Sequence, residues 1–129
     1  MRVALVDTSV LIHLFPKHLA ALAWFNAQTE RLSVTAINAL EFLDGVPNKP
    51  GHALCLAILG QFELIHHTTK DQNWAIQQIS LHRLSNGVHP DDCLTASVCH
   101  RLQIPIYTNN EKDLLKLLPV GLLLTIGAS

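Results

Sequence analysis

A three-layer α/β/α domain built on a mostly parallel sheet is the fold class this 129-residue sequence predicts, on three observations. Short apolar runs alternate with segments of helical period, the mark of successive β-α units. The runs lack polar alternation, so both faces of their sheet are covered. No repeat, low-complexity tract or long linker breaks the alternation, and the length suits one domain, 1–129.

Val3–Val6 is a buried strand, and the Asp-Thr-Ser behind it opens a helix with a capping residue. That helical stretch runs to about Gln28, interrupted near Pro16. Arg31–Thr35 is strand-like, and Ala36–Asp44 is a helix closed by Gly45 with Pro47 beyond it. Asn48–Gly51 reads as a loop, His52–Leu59 as a helix, Phe62–His66 as a strand and Asp71–Leu84 as a helix. His89-Pro90-Asp91-Asp92 starts the next helix, with proline near its first position and acids in its first turn. In that helix Leu94, Val98 and Leu102 share an apolar face. Ile104–Tyr107 is a short strand, Glu111–Leu118 a helix and Leu122–Ile126 a last buried strand.

Composition narrows the function classes. With 49% hydrophobic and 15% charged residues, the chain is no disordered tail, and its apolar excess implies a partner. A net charge of −1 supplies no global basic field, so nucleic-acid binding has to come from local Lys/Arg, a metal or a partner. Three cysteines without C-x-x-C spacing suit a reducing cytoplasm. The apolar tail Leu114–Ile126 is too short and too interrupted to cross a membrane. The eight histidines show no zinc-type pairing. No Gly-rich phosphate loop follows the first strand, and no G-x-S-x-G elbow is present.

The acids are better placed. Asp7 stands at the carboxyl end of the first strand, where open parallel sheets bind ligands, and serves equally well as a helix cap. Glu41 shares a narrow seam with Asn38 on a helix apolar over most of its girth; the seam faces either water or an enclosed site. Asp91 and Asp92 sit where a helix dipole already favours negative charge. Asp113 lies in the first turn of a helix after Tyr107-Thr108-Asn109-Asn110. A parallel sheet gathers Asp7, Asp92 and Asp113 toward one edge. Carboxylates converging there repel unless protonated or neutralised, and the usual neutraliser of an all-oxygen site is Mg²⁺ or Mn²⁺. That chemistry points to phosphodiester cleavage.

The order of four segments resembles the PIN-domain nucleases, most closely the VapC-type toxin ribonucleases of toxin–antitoxin pairs. They are Val6-Asp7-Thr8-Ser9-Val10-Leu11-Ile12, Asn38-Ala39-Leu40-Glu41-Phe42, Asp92-Cys93-Leu94-Thr95-Ala96-Ser97, and Ile104 through Leu114 with its Thr108-Asn109-Asn110-Glu111-Lys112-Asp113. The likeness implies a PIN-like (Rossmann-like) fold and a Mg²⁺- or Mn²⁺-dependent endoribonuclease acting on RNA. It also implies an antitoxin protein as partner and a homodimer. By the same resemblance Asp7, Glu41 and Asp92 are the principal acidic ligands, in preference to Asp91. Many members carry an acid where this chain has Asn110, and others carry it three residues later, which makes Asp113 the fourth acid here. Thr108 and Asn110 are then positioning groups, and Ser9 orients Asp7 or a water. A catalytically inactive PIN-like domain with a binding or regulatory role is the competing expectation, supported by Asn110. A phospho-acceptor receiver domain would need paired acids after the first strand, where Asp7 stands alone.

Overall fold

The computed structural model describes residues 3–15 and 19–126. Its strands are β1 (Val3–Val6), β2 (Arg31–Thr35), β3 (Glu63–Ile65), β4 (Ile106–Tyr107) and β5 (Leu123–Leu124). The helices are α1 (Thr8–Leu14), α2 (Leu19–Ala27), α3 (Ala36–Asp44), α4 (Lys49–Leu59), α5 (Thr69–Asn86), α6 (Pro90–Leu102) and α7 (Glu111–Leu114). Among the described residues the five strands form one sheet in the order β3-β2-β1-β4-β5. Every neighbouring pair is parallel, with β1 central.

Strand geometry sorts the core into two layers, because successive side chains point to opposite faces. Ala4 and Val6 of β1 and Leu32 and Val34 of β2 pack with Val10, Leu14, Ala21, Phe42 and Cys55 of α1–α4. Leu5 faces the other way, against Ala96, Val98 and Cys99 of α6, with Ile106 and Leu114. This is the two-sided burial that the unbroken apolar runs predict. No helix among the described residues is long and apolar enough to cross a membrane.

Several boundaries differ from the sequence expectation. The stretch Asn48–Gly51 is not a loop: Asn48 caps α4 by accepting from the Gly51 N–H at 2.8 Å, and Pro50 sits in the first turn. A first turn has amides without helical partners, so it tolerates proline. Helix α5 begins before Asp71, at a capping box between Thr68 and Asp71, and ends at Gly87 in the left-handed region with φ 70°. Strand β3 is shorter than Phe62–His66, and β5 covers only part of Leu122–Ile126 because a 3₁₀ turn, Val120–Leu122, precedes it. Helix α7 stops at Leu114, well short of Leu118, although Leu118 is still buried. Helix α1 ends at Leu14 and α2 is described from Leu19; Pro16, near which the sequence predicts an interruption, lies outside the described residues. On α6, Val98 of the expected face is buried and Leu94 partly so, but Leu102 is 42% exposed, and Cys93, Thr95–Ser97 and Cys99 are buried as well. The sheet meets the helix through small residues there, and Leu102 falls past the last covered turn.

Candidate active site

Asp7 leaves the carboxyl end of β1 and is both a helix cap and the centre of a polar network. The Thr8 amide donates to its Oδ1 at 2.8 Å, which starts α1. Its Oδ2 accepts from Ser9 Oγ at 2.9 Å and from Thr108 Oγ1 at 2.8 Å. The Asp7 N–H donates to the Tyr107 carbonyl at 3.0 Å, continuing the pairing of β1 with β4 and so bringing Thr108 alongside. Thr108 Oγ1 also accepts from the Asn110 amide at 2.8 Å, and Ser9 Oγ accepts from the Asn109 amide at 2.9 Å. The loop after β4 is thus stitched to the loop after β1.

The seam of α3 faces this network. Asn38 is 1% exposed while Leu40, on the other side of the helix, is 64% exposed. Thr35 caps α3 and donates its hydroxyl to Asn38 Oδ1 at 3.0 Å, which fixes the amide. Asn38 Nδ2 then donates to Thr8 Oγ1 at 2.9 Å and to Thr95 Oγ1 at 3.1 Å, with Asp7 Oδ1 and Glu41 Oε1 each at 3.4 Å. Thr8 Oγ1 donates onward to Glu41 Oε1 at 2.9 Å. A relay therefore runs from the buried amide through a hydroxyl to a carboxylate, and each bond polarises the next.

Helix α6 brings two acids. Asp91 is the acid neighbour of Glu41; burial first, then this neighbour, pushes the Glu41 carboxyl up to about 7. Asp92 is pushed up to about 6 by burial and by the charge of Asp91, with Asp113 and Asp7 adding to it. Asn110 Nδ2 lies 3.5 Å from Asp92 Oδ1. Asp113 is near enough to act on Asp92 electrostatically but pairs with Lys116 Nζ at 3.3 Å. The structure thus brings Asp7, Glu41, Asp92, Ser9, Thr108 and Asn110 into one neighbourhood and leaves Asp113 at its margin. Thr8, Asn38, Thr95 and Asn109 belong to it too, and the sequence reading did not select them as site residues. Their signal was faint: Asn38 and Thr95 each stand one helical turn from an acid.

Among the described residues no three His, Cys, Asp or Glu side chains converge tightly enough to enclose a metal ion. Mg²⁺ does not require such a cage, because it keeps several waters and binds through one or two carboxylates. The donors here are hard oxygens, and their mutual repulsion is relieved by protons or by a cation. This donor chemistry fits a hard divalent ion, which Asp7 and Asp92, with Glu41 beside them, would hold.

A family model described as PIN domain matches residues 4–117. The chain belongs to the PIN domain family. Its fold is similar to that of a toxin–antitoxin complex from Klebsiella pneumoniae, at 19% identity and a TM-score of 0.77, covering 98% of this chain and 99% of that one. DNA-bound VapBC from Salmonella typhimurium is similar at 18% identity and a TM-score of 0.78, over 98% and 100% of the two chains. VapC20 of Mycobacterium tuberculosis, described as a Sarcin-Ricin loop cleaving toxin, matches at 15% identity and a TM-score of 0.69, over 84% and 90%. Among curated proteins, none matches the sequence.

Proposed function

We propose that this PIN domain, residues 1–129, is a Mg²⁺-dependent endoribonuclease, the toxin of a type II toxin–antitoxin pair acting in the cytoplasm. The observation that carries the reading is the linked acid network: Asp7 held by Thr8, Ser9 and Thr108, and Glu41 held by Thr8 and Asn38. A bound ion supplies Lewis acidity toward an RNA phosphodiester and a nucleophilic water at neutral pH. The residues' task is to hold that ion in place. Asp7, Glu41 and Asp92 provide the oxygens, with Asp113 as the fourth acid. Ser9, Thr108 and Asn110 fix the carboxylates they touch, which limits reorganisation when charge develops.

The solved neighbours that are toxin–antitoxin complexes support an antitoxin partner. So does an apolar cavity of about 190 Å³ lined by Ile12, Phe15, Phe42 and Val46, with Glu41 at its edge. Exposed Ile76, Leu81 and Leu84 on α5 support a homodimer.

Purified chain with Mg²⁺ or Mn²⁺ is expected to cut structured RNA, and EDTA or Asp7→Asn to abolish cutting. Cutting that survives Asp7→Asn would place the chemistry elsewhere. Induction in a bacterial host without the antitoxin is expected to arrest growth. A catalytically inactive, regulatory PIN-like domain is the second reading. It is favoured by Asn110 and by Lys116, which offsets the charge of Asp113.

A further inference from the structure

The groove between the start of α5 and the end of α6 holds a cavity of about 330 Å³ lined by Lys70, Asp71, Trp74, Ser97, His100 and Arg101. None of these residues belongs to the acid network. We infer that this cavity is a docking platform for an unpaired nucleotide of an RNA strand, whose base stacks on His100 and whose phosphate meets Lys70 and Arg101. The proposal rests on the nuclease reading only for the identity of the strand.

The aromatic half is already assembled. Trp74 and His100 are stacked, with ring centroids 4.9 Å apart and planes 19° from parallel. Trp74 packs inward on the Leu5 layer, whereas His100 is exposed, so a third flat ring extends the column from the outer side. Stacking on aromatic side chains is how unpaired bases are commonly held, and every base offers a π-face.

The cationic half is held rigidly. Asp71, 1% exposed, receives Arg101 Nε at 2.8 Å and Nη2 at 3.0 Å. That fork orients the guanidinium and offsets the Asp71 charge, which leaves Lys70 as the cavity's net positive group. In a chain of net charge −1, such local placement is what RNA binding requires. Asp92 and His100 lie eight residues apart on α6, ~12 Å along its axis. A stacked strand touching both spans about three or four nucleotides at about 3.4 Å each.

The test is fluorescence anisotropy of a labelled single-stranded RNA octamer, in EDTA so that nothing is cut. His100→Ala is expected to weaken binding about tenfold and His100→Phe to restore it. Lys70→Ala is expected to lower the salt slope by about 0.7. Cleavage of a dinucleotide, too short to span both places, is expected to be unchanged in His100→Ala. Octamer affinity indifferent to His100→Ala, or His100→Phe binding no better than His100→Ala, overturns the platform. Octamer binding that depends on His100 in a chain that never cuts RNA keeps the platform and rejects the nuclease. Cleavage with His100-independent binding does the reverse.

Discussion

At the scale of single residues, Asn38 carries one amide nitrogen, with two hydrogens, into a space bordered by oxygens of Asp7, Thr8, Glu41 and Thr95. The short contacts go to the two hydroxyls, so the amide acts on the carboxylates chiefly by placing Thr8. Asn38→Ala leaves buried Thr95 and half-buried Thr8 without that donor. It is expected to lower stability by about 1–3 kcal/mol in urea denaturation and to cut the proposed ribonuclease activity more than tenfold. Unchanged activity would detach the relay from the chemistry. Asp71, which has no contact with the acid network, contributes to stability through its ion pair. Burial raises its carboxyl, but Arg101 and the Thr68 amide outweigh that and hold it below the usual carboxylate range. A depressed folded value means the stabilisation is present above the unfolded carboxyl range, near pH 4, and is lost as pH falls through the lower folded value. Asp71→Asn is therefore expected to destabilise at pH 7 by about 2–3 kcal/mol, below the fully buried range because Arg101 is partly exposed, and to matter less at pH 2. Equal losses at both pH values would contradict the ion-pair account.

Among elements, α4 shows how a Pro-Gly segment becomes helix. A Cβ on Gly51 would stand 2.7 Å from Val46 Cγ1 and 3.0 Å from Asn48 Oδ1. Gly51→Ala, which in an open helix stabilises, is expected here to cost about 1–3 kcal/mol, read as a lower urea midpoint with unchanged slope. The end of α6 gives the opposite sign: Gln103 holds φ 53°, a conformation glycine adopts freely, so Gln103→Gly is expected to be neutral or stabilising by up to about 1 kcal/mol. Strands β1 and β2 and helix α3 were legible to the residue because caps and apolar runs there coincide. The starts of α4 and α5 were not, because Asn48 and Thr68 become caps only through a hydrogen bond to an amide three residues on. The four residues of α7 were overextended because the apolar residues after Leu114 continue a helical pattern while the backbone turns away.

For the whole molecule, the acid neighbourhood couples folding to pH. Glu41, at about 7, and Asp92, at about 6, are raised above their unfolded values near 4. A raised carboxyl contributes stability below the unfolded value and loses it as pH rises through the folded one, so these two groups oppose folding at neutral pH. A cation that binds the ionised site offsets that loss by mass action. Mg²⁺ is accordingly expected to raise Tm at pH 8 and to have little effect at pH 5, measured against EDTA by calorimetry. Equal shifts at both pH values would mean that Mg²⁺ acts elsewhere.

What the residue string determined by itself was the alternation of covered strands with helices and the stationing of acids just past strand ends. Both follow from local periodicity and local capping, which need no distant contact. Only the tertiary structure decided which acid meets which. Asp91 and Asp92 are adjacent in the chain but point about 100° apart on a helix. The seating of α6 on the sheet turns Asp91 toward Glu41 and Asp92 toward Asn110. Lys116 is the contrasting case: it meets Asp113 at i,i+3, in the turn that continues from α7, a contact local spacing already allows. Direction in space is set by packing between layers, and no local pattern carries it.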